Sequence, residues 1–407
     1  MRLLCLLFFL QFTFLAVLGQ QKGDFLYATI SLKNGKSYSG QVRWSYRDAA
    51  WDDLLEAYKD EPQIQEQIDI QGYEKNQKQS SEVFELSFMN LWEDKESKSR
   101  FVFKCQFGHI DRIICTSDEK SATVVLKNKR QIDLRRRTRD IGSDIVMYHA
   151  QLGKLEFDWG GIREINFSSA PARLENQLGA KIYGKALTVH GEIEGYITWD
   201  FDEEAFGADI IDGDHQDVEY QLRFDQITSI QPERNGAIVI LKNGQELFMR
   251  NSSDVNKEND GIFIKTKNHG MVNVGWSNLI HISFTEPQFD AKTYSDFREP
   301  KSLKGTVLTQ DGQKISGRLV YDLDESWDIE ILDGRTKGTK YYLPFYLLKS
   351  ISPQNFNYSL VELRDGTKLL LGDEGDVNQN NNGILVLISS SRTRYIPWED
   401  VKTVTFN

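Results

Sequence analysis

One nine-residue pattern closes three stretches of this chain. It reads Trp159-x2-Ile162-x2-Ile165-x-Phe167, then Trp276-x2-Leu279-x2-Ile282-x-Phe284, then Trp398-x2-Val401-x2-Val404-x-Phe406. The tryptophans lie 117 and 122 residues apart. A fixed period of that size is the mark of one structural unit used three times. Three tandem repeats are therefore expected, over 25–167, 182–284 and 302–406.

Each repeat divides again. An upstream copy of the motif carries Phe in place of Trp: Phe107-x2-Ile110-x2-Ile113, Phe224-x2-Ile227-x2-Ile230 and Phe345-x2-Leu348-x2-Ile351. The next Trp follows 52, 52 and 53 residues later, so six half-units emerge. Their bodies alternate apolar residues and then turn, as in Leu241-Lys-Asn-Gly244 and Leu363-Arg-Asp-Gly366. Alternation followed by Asn-Gly or Asp-Gly signals a hairpin, because the turn needs positive φ. Lys129 stands where the glycine should be in Leu126-Lys-Asn-Lys129, which predicts a different turn there. The first halves carry Ile30-x-Leu32-Lys-Asn34-Gly35-x4-Gly40-x-Val42 and Asp311-Gly312-x4-Gly317-x-Leu319, and Gly191 and Gly195 stand in the middle repeat.

That half-unit resembles the first motif of the Sm-like fold, and the closing motif is similar to the single 3-10 turn before the last strand of SH3-like barrels. No counterpart of the second Sm motif is present. The resemblance implies an all-β chain in which each repeat is a pair of small five-stranded barrels; it implies nothing about ligand. A barrel of about 55 residues buries a marginal core, which favours pairing. The motif aromatics either fill the seam between paired halves or plug their own half.

Two features break the period. The first repeat is longer than the others between Trp44 and Phe107, which predicts an insertion over about 48–81. Trp51, Leu54, Leu55 and Tyr58 fall at i, i+3, i+4 and i+7 and predict a short amphipathic helix within it. Trp51, Leu55 and Tyr58 would then offer an apolar face to a partner. The linkers Ser168–Lys181 and Thr285–Lys304, with Pro171, Pro287 and Pro300, mark the boundaries between repeats.

Residues 1–19 read as a signal peptide: Arg2, then an apolar run from Leu3 to Leu18, then small residues at Val17 and Gly19. The run is short for a membrane span. A secreted or periplasmic protein with no later transmembrane segment is expected. Beyond the signal only Cys105 and Cys115 remain, either bridged or as two buried thiols. The formal net charge of −11 argues against general nucleic-acid binding.

Candidate chemistry is sparse. Asp376-Val-Asn378-Gln-Asn380 and Asp254-Val-Asn256 alternate oxygen side chains as calcium loops do, but glycine falls eighth and no Glu stands twelfth, so the EF-hand pattern is not met. The alternative is a hairpin loop in which Asx side chains hold the backbone. The acidic runs Asp200-x-Asp202-Glu203-Glu204 and Asp322-x-Asp324-Glu325 suit either acid–base work on sugars or hairpin tips. Seven cations between Lys127 and Arg139 suggest that Arg135 and Arg137 meet a partner, or that they guard an edge strand. The six histidines lack zinc spacing, and no nucleophile elbow, phosphate loop or dinucleotide fingerprint occurs. No cofactor is expected, calcium being the one candidate. The reading is an exported, non-enzymatic repeat protein that binds or scaffolds a protein or glycan at the cell envelope. The alternatives are a carbohydrate-active protein stacking sugars on Trp51, Trp92 or Trp327, and a calcium-dependent adhesion module.

Overall fold

The computed structural model describes residues 23–59, 101–138, 140–200, 205–390 and 392–407. They form thirty β-strands and nine 3-10 turns, with no α-helix. The first stretch holds β1 (Tyr27–Leu32), β2 (Ser37–Trp44), β3 (Leu54–Lys59), β4 (Val102–Gln106), β5 (Ile110–Cys115), β6 (Ser121–Leu126), β7 (Gln131–Arg135), β8 (Ile145–His149), β9 (Gly153–Phe157) and β10 (Ile162–Phe167). The second holds β11 (Tyr183–Thr188), β12 (Gly191–Thr198), β13 (Ile210–His215), β14 (Val218–Arg223), β15 (Ile227–Glu233), β16 (Gly236–Leu241), β17 (Glu246–Met249), β18 (Ile262–Lys265), β19 (Met271–Val274) and β20 (Leu279–Phe284). The third holds β21 (Lys304–Thr309), β22 (Lys314–Tyr321), β23 (Ile331–Thr336), β24 (Thr339–Pro344), β25 (Leu348–Pro353), β26 (Tyr358–Leu363), β27 (Lys368–Gly372), β28 (Ile384–Ser389), β29 (Arg392–Ile396) and β30 (Val401–Phe406).

All pairings are antiparallel. The first sheet runs β4-β3-β7-β6-β5-β10-β1-β2-β8-β9. The halves suggested by the sequence are therefore not the halves in space. β1 and β2 pair with β10 and β8, across the sequence midpoint, while β5 leads into β6 and β7. The described sheets stay open, so the expected closed barrels are not what these pairings form. The same order of partners recurs for β11–β12, β12–β18 and β11–β20, and again for β21–β22, β22–β28 and β21–β30. The register slips at the same place in each: Ser31/Leu32, Leu187/Thr188 and Leu308/Thr309.

The cores explain the motif aromatics. Trp44 meets Phe107, Trp159 and Phe167 at centroid distances of 5.3, 5.9 and 6.2 Å. Trp199 meets Phe224, Trp276 and Phe284 at 5.7, 6.1 and 6.5 Å. Tyr321 meets Phe345, Trp398 and Phe406 at 5.3, 5.7 and 6.4 Å. Both closing motifs thus converge on one ring and fill a seam, with tilted and edge-to-face contacts. The Asn-Gly and Asp-Gly hairpins form with Gly35, Gly244, Gly312 and Gly366 at φ of 85–92°. Lys129 does not change its turn. It takes φ 67° itself, and its N–H bonds Leu126 O at 2.8 Å as Gly244 N–H bonds Leu241 O at 2.9 Å.

The expected helix over 51–58 is a turn followed by β3. Leu55, Ala57 and Lys59 alternate inward, a strand period of two. Trp51 and Leu55 are fully buried in the first core. Residues 48–59 therefore belong to the common frame. The extra length lies between 59 and 101, where the other stretches turn from β13 to β14 and from β23 to β24 over two residues each. Residues 60–81 of the expected insertion fall outside the described residues. Cys105 and Cys115 are buried and free.

Candidate functional site

Carboxylates are placed first by backbone geometry. Asp53 Oδ2 accepts the N–H groups of Ala49 and Ala50 at 2.8 and 2.7 Å. Asp209 Oδ2 does the same for Ala205 and Phe206, both at 2.9 Å, and Glu330 Oε2 for Ser326 and Trp327 at 2.7 and 2.9 Å. A second set recurs as well. The carboxylates of Asp140, Asp254 and Asp376 accept the N–H groups of Glu56, Asp212 and Asp333. Their carbonyls take Trp44 Nε1, Trp199 Nε1 and Tyr321 OH.

The first set also anchors the contacts between stretches. Arg43 reaches Asp209 at 2.7 Å, Lys265 pairs with Asp53, and Lys59 pairs with Glu330 at 2.6 Å and Asp324 at 2.9 Å. Lys59 and Glu330 side chains are each 1% exposed. Such pairs hold because each charge also has hydrogen bonds in place of water.

Where the first and third stretches meet, a cleft of about 770 Å³ opens, with Asp260 and Asn273 of the second on its lining. Opposite charges alternate along it. Arg137 Nε lies 3.1 Å from Glu56, and Glu56 lies 3.2 Å from Lys104. Lys104 is 2.7 Å from Asp333 Oδ2, and Lys340 is 3.4 Å from the same oxygen. Lys340 then meets Glu374 at 3.1 Å, and Glu374 meets Arg335 at 2.8 Å. The ring of Tyr342 lies between the two lysines, 5.3 Å from Lys104 Nζ and 5.1 Å from Lys340 Nζ.

Burial opposes every charge here, and the neighbours decide the outcome. Burial alone would raise Asp333, but Lys104 and Lys340 outweigh it and hold the carboxyl low. Lys104 is held above its usual range by Asp333 and Glu56, against burial. Asp376, also on the lining, is pushed well up by burial and by the nearby carboxylates of Asp333 and Asp322. Asp333 Oδ1 has no hydrogen-bond partner among the described residues.

Several residues singled out by sequence serve the backbone instead. Asn256 and Asn378 each cap a tight turn, accepting the N–H groups of Glu258 and Asn380. With Asp254 and Asp376 engaged as above, these loops follow the Asx alternative. No group of three or more His, Cys, Asp or Glu side chains is placed to hold a metal among the described residues. Asp200 and Asp322 sit in left-handed turn positions and accept the N–H groups of Asp260 and Asn382. Asp324 faces Lys59. Trp51 and Trp327 are buried, not exposed platforms, and Trp92 lies outside the described residues. Tyr58 is half-buried with Arg137 5.3 Å from its ring, while Arg135 ends β7 exposed. Arg137 is thus the one sequence candidate from the basic run that joins the cleft. The rest gave no distinct signal, since Lys104 in Val-Phe-Lys-Cys-Gln and Asp333 in Ile-Leu-Asp-Gly alternate with the core residues Phe103, Cys105 and Leu332 and so read as outward-facing strand charges.

The chain matches no family model and no curated protein. Among solved structures, a streptogramin B lyase structure is similar at 10% identity and a TM-score of 0.16, over 74% of this chain and 94% of that one. A likeness that low carries no argument about fold or function. No helix among the described residues is long and apolar enough to cross a membrane.

Proposed function

We propose that this is an exported, non-enzymatic module built from three copies of one unit, which binds a polar ligand or partner in the charged cleft. The strand order of the two five-strand sets in the first copy supports reading each set as an SH3-like unit, while β13 and β14 of the second copy form a separate two-stranded sheet. The set β1, β2, β8, β9 and β10 encloses the set β3 to β7, which starts at a different point of the same order. The supporting observation for binding is the cleft itself. On its lining, Asp333 Oδ1 is buried without a hydrogen-bond partner among the described residues, and a ligand hydroxyl or ammonium that reached it from the cleft would supply the missing donor. The carboxylates that look most catalytic recur in all three stretches with the same backbone partners, and this favours a role in folding.

The test is a panel of neutral and acidic polysaccharides presented to the mature protein, with binding and release of reducing ends measured together. Saturable binding that weakens at least tenfold in Asp333→Asn, without reducing ends, is expected. A second reading has one observation behind it: Asp376 and Asp333 are neighbouring carboxyls pushed in opposite directions, as acid–base pairs are. Release of reducing ends that disappears in Asp376→Asn would replace the binding reading with a carbohydrate-active one.

A further inference from the structure

A second cleft, of about 660 Å³, lies between the linker that precedes β21 and the end of β30. Four cations line it: Arg298, Lys301, Lys304 and Arg364. In a chain of net charge −11 this is a local reversal. The one carboxylate side chain on the lining, Asp328, is bound by Arg298 Nη2 at 2.8 Å and accepts the N–H of Lys301 at 2.9 Å.

The two guanidinium groups are held in place before any ligand arrives. Arg298 lies over the ring of Tyr346, 4.9 Å from its centre. Arg364 donates from Nε to Tyr346 O at 2.9 Å and from Nη2 to the main-chain oxygen of Asn407 at 2.7 Å. Lys301 and Lys304 are exposed, and neither side chain has an ion-pair partner among the described residues within 4.0 Å. Phe345 and Phe406, both buried, give the cleft an apolar floor. Two oriented guanidinium groups beside two exposed ammonium groups suit an oxyanion, whose several oxygens accept from planar and point-charge donors together.

We propose that this cleft binds a phosphate or sulfate group. It shares no residue with the charged cleft above, so it stands or falls independently of the function proposed there. The experiment titrates the full mature chain at low ionic strength with inorganic phosphate, inorganic sulfate and dextran sulfate, by calorimetry and thermal melting. Saturable binding is expected, with a raised melting midpoint and weakening as salt screens the site. In Lys301→Ala/Lys304→Ala the affinity should fall at least fivefold while the ligand-free midpoint stays unchanged. Lys242→Ala, remote from this cleft, should bind as the parent does. Binding of the free ions would mark a site for a simple oxyanion, and binding of dextran sulfate alone a site for a sulfated polymer. Absence of saturable binding by all three, or equal binding in the double variant, would overturn the proposal.

Discussion

Replacing Lys59 with Met isolates one buried joint between the first and third stretches. Lys59 Nζ meets Glu330 at 2.6 Å, Asp324 Oδ1 at 2.9 Å and Asp324 O at 2.7 Å, with its side chain 1% exposed. Methionine fills nearly the same volume, so the loss is electrostatic. Glu330 and Asp324 would keep their backbone donors but lose the cation between them. Breaking one side of a buried pair costs about 3–5 kcal/mol, because the remaining charge stays out of water. Urea unfolding at neutral pH should show a loss of that size. Adding Glu330→Gln should recover most of it, since the amide oxygen still accepts from Ser326 and Trp327. The pH dependence has a definite sign. Burial opposes the Lys59 charge, but Asp324, Glu330 and Glu325 outweigh it and raise the ammonium above its usual range. A lysine raised in the folded state stabilises fully below its unfolded titration and loses that contribution as pH climbs through the raised value. The difference between parent and variant should therefore be flat across about pH 6–9 and shrink only in strong alkali. A loss under about 1 kcal/mol at neutral pH would refute the reasoning.

Trp276 is 7% exposed and packs edge-on against Trp199; Trp276→Ala should cost about 3–5 kcal/mol in denaturant unfolding, and a cost below about 1 would place the ring outside the core. Lys129→Gly should stabilise by about 0.5–1 kcal/mol, the relief of a left-handed lysine less the entropy of a freer unfolded chain; a lower melting midpoint would contradict the turn geometry. Asp24 is 2% exposed, and its carboxylate has no side-chain hydrogen-bond partner among the described residues, although the charge of Lys181 partly offsets its burial. Burial raises its folded pKa, so its penalty is absent below the unfolded carboxyl range and grows as pH rises through the raised value; Asp24→Asn should gain about 1–3 kcal/mol at neutral pH and nothing in strong acid. Millimolar calcium should leave the melting midpoint in place, because the Asp254 and Asp376 carboxylates already hold backbone N–H groups; a rise worth more than about 2.7 kcal/mol would reveal a real site.

The sequence announced the seam aromatics because large rings at fixed spacing survive any loop change. It also announced the Asn-Gly and Asp-Gly hairpins, whose backbone demands glycine. It did not announce which strands pair. β2 and β8 are about a hundred residues apart, and their partnership leaves no local pattern. The error at Trp51–Tyr58 has a specific cause. Trp51 and Leu55 are core residues three and four positions from other apolar ones, which imitates a helix, while Lys59 hides the strand period by being a charge on the inward face. The cleft was concealed as well. Lys104, Asp333 and Lys340 look like solvent-facing residues until the third stretch is set against the first.

One joint shows how the chain controls its own edges. β19 pairs with β24, Met271 opposite Tyr342 and Val274 opposite Thr339, so the second and third stretches share one sheet. The strands in the corresponding places, β9 and β29, each form one ladder among the described strands, with β8 and with β28. β19 reads Met-Val-Asn-Val and carries no charge. β9 carries Lys154 and Glu156, and β29 carries Arg392 and Arg394. A charged edge resists a further strand, because pairing would bring its side chains against another sheet's. The same strand in the fold is therefore either a joint or a guarded border, according to two or three side chains. That choice, together with Lys59 and the ladder from Arg137 to Arg335, sets the third stretch against both others and so creates the cleft between them.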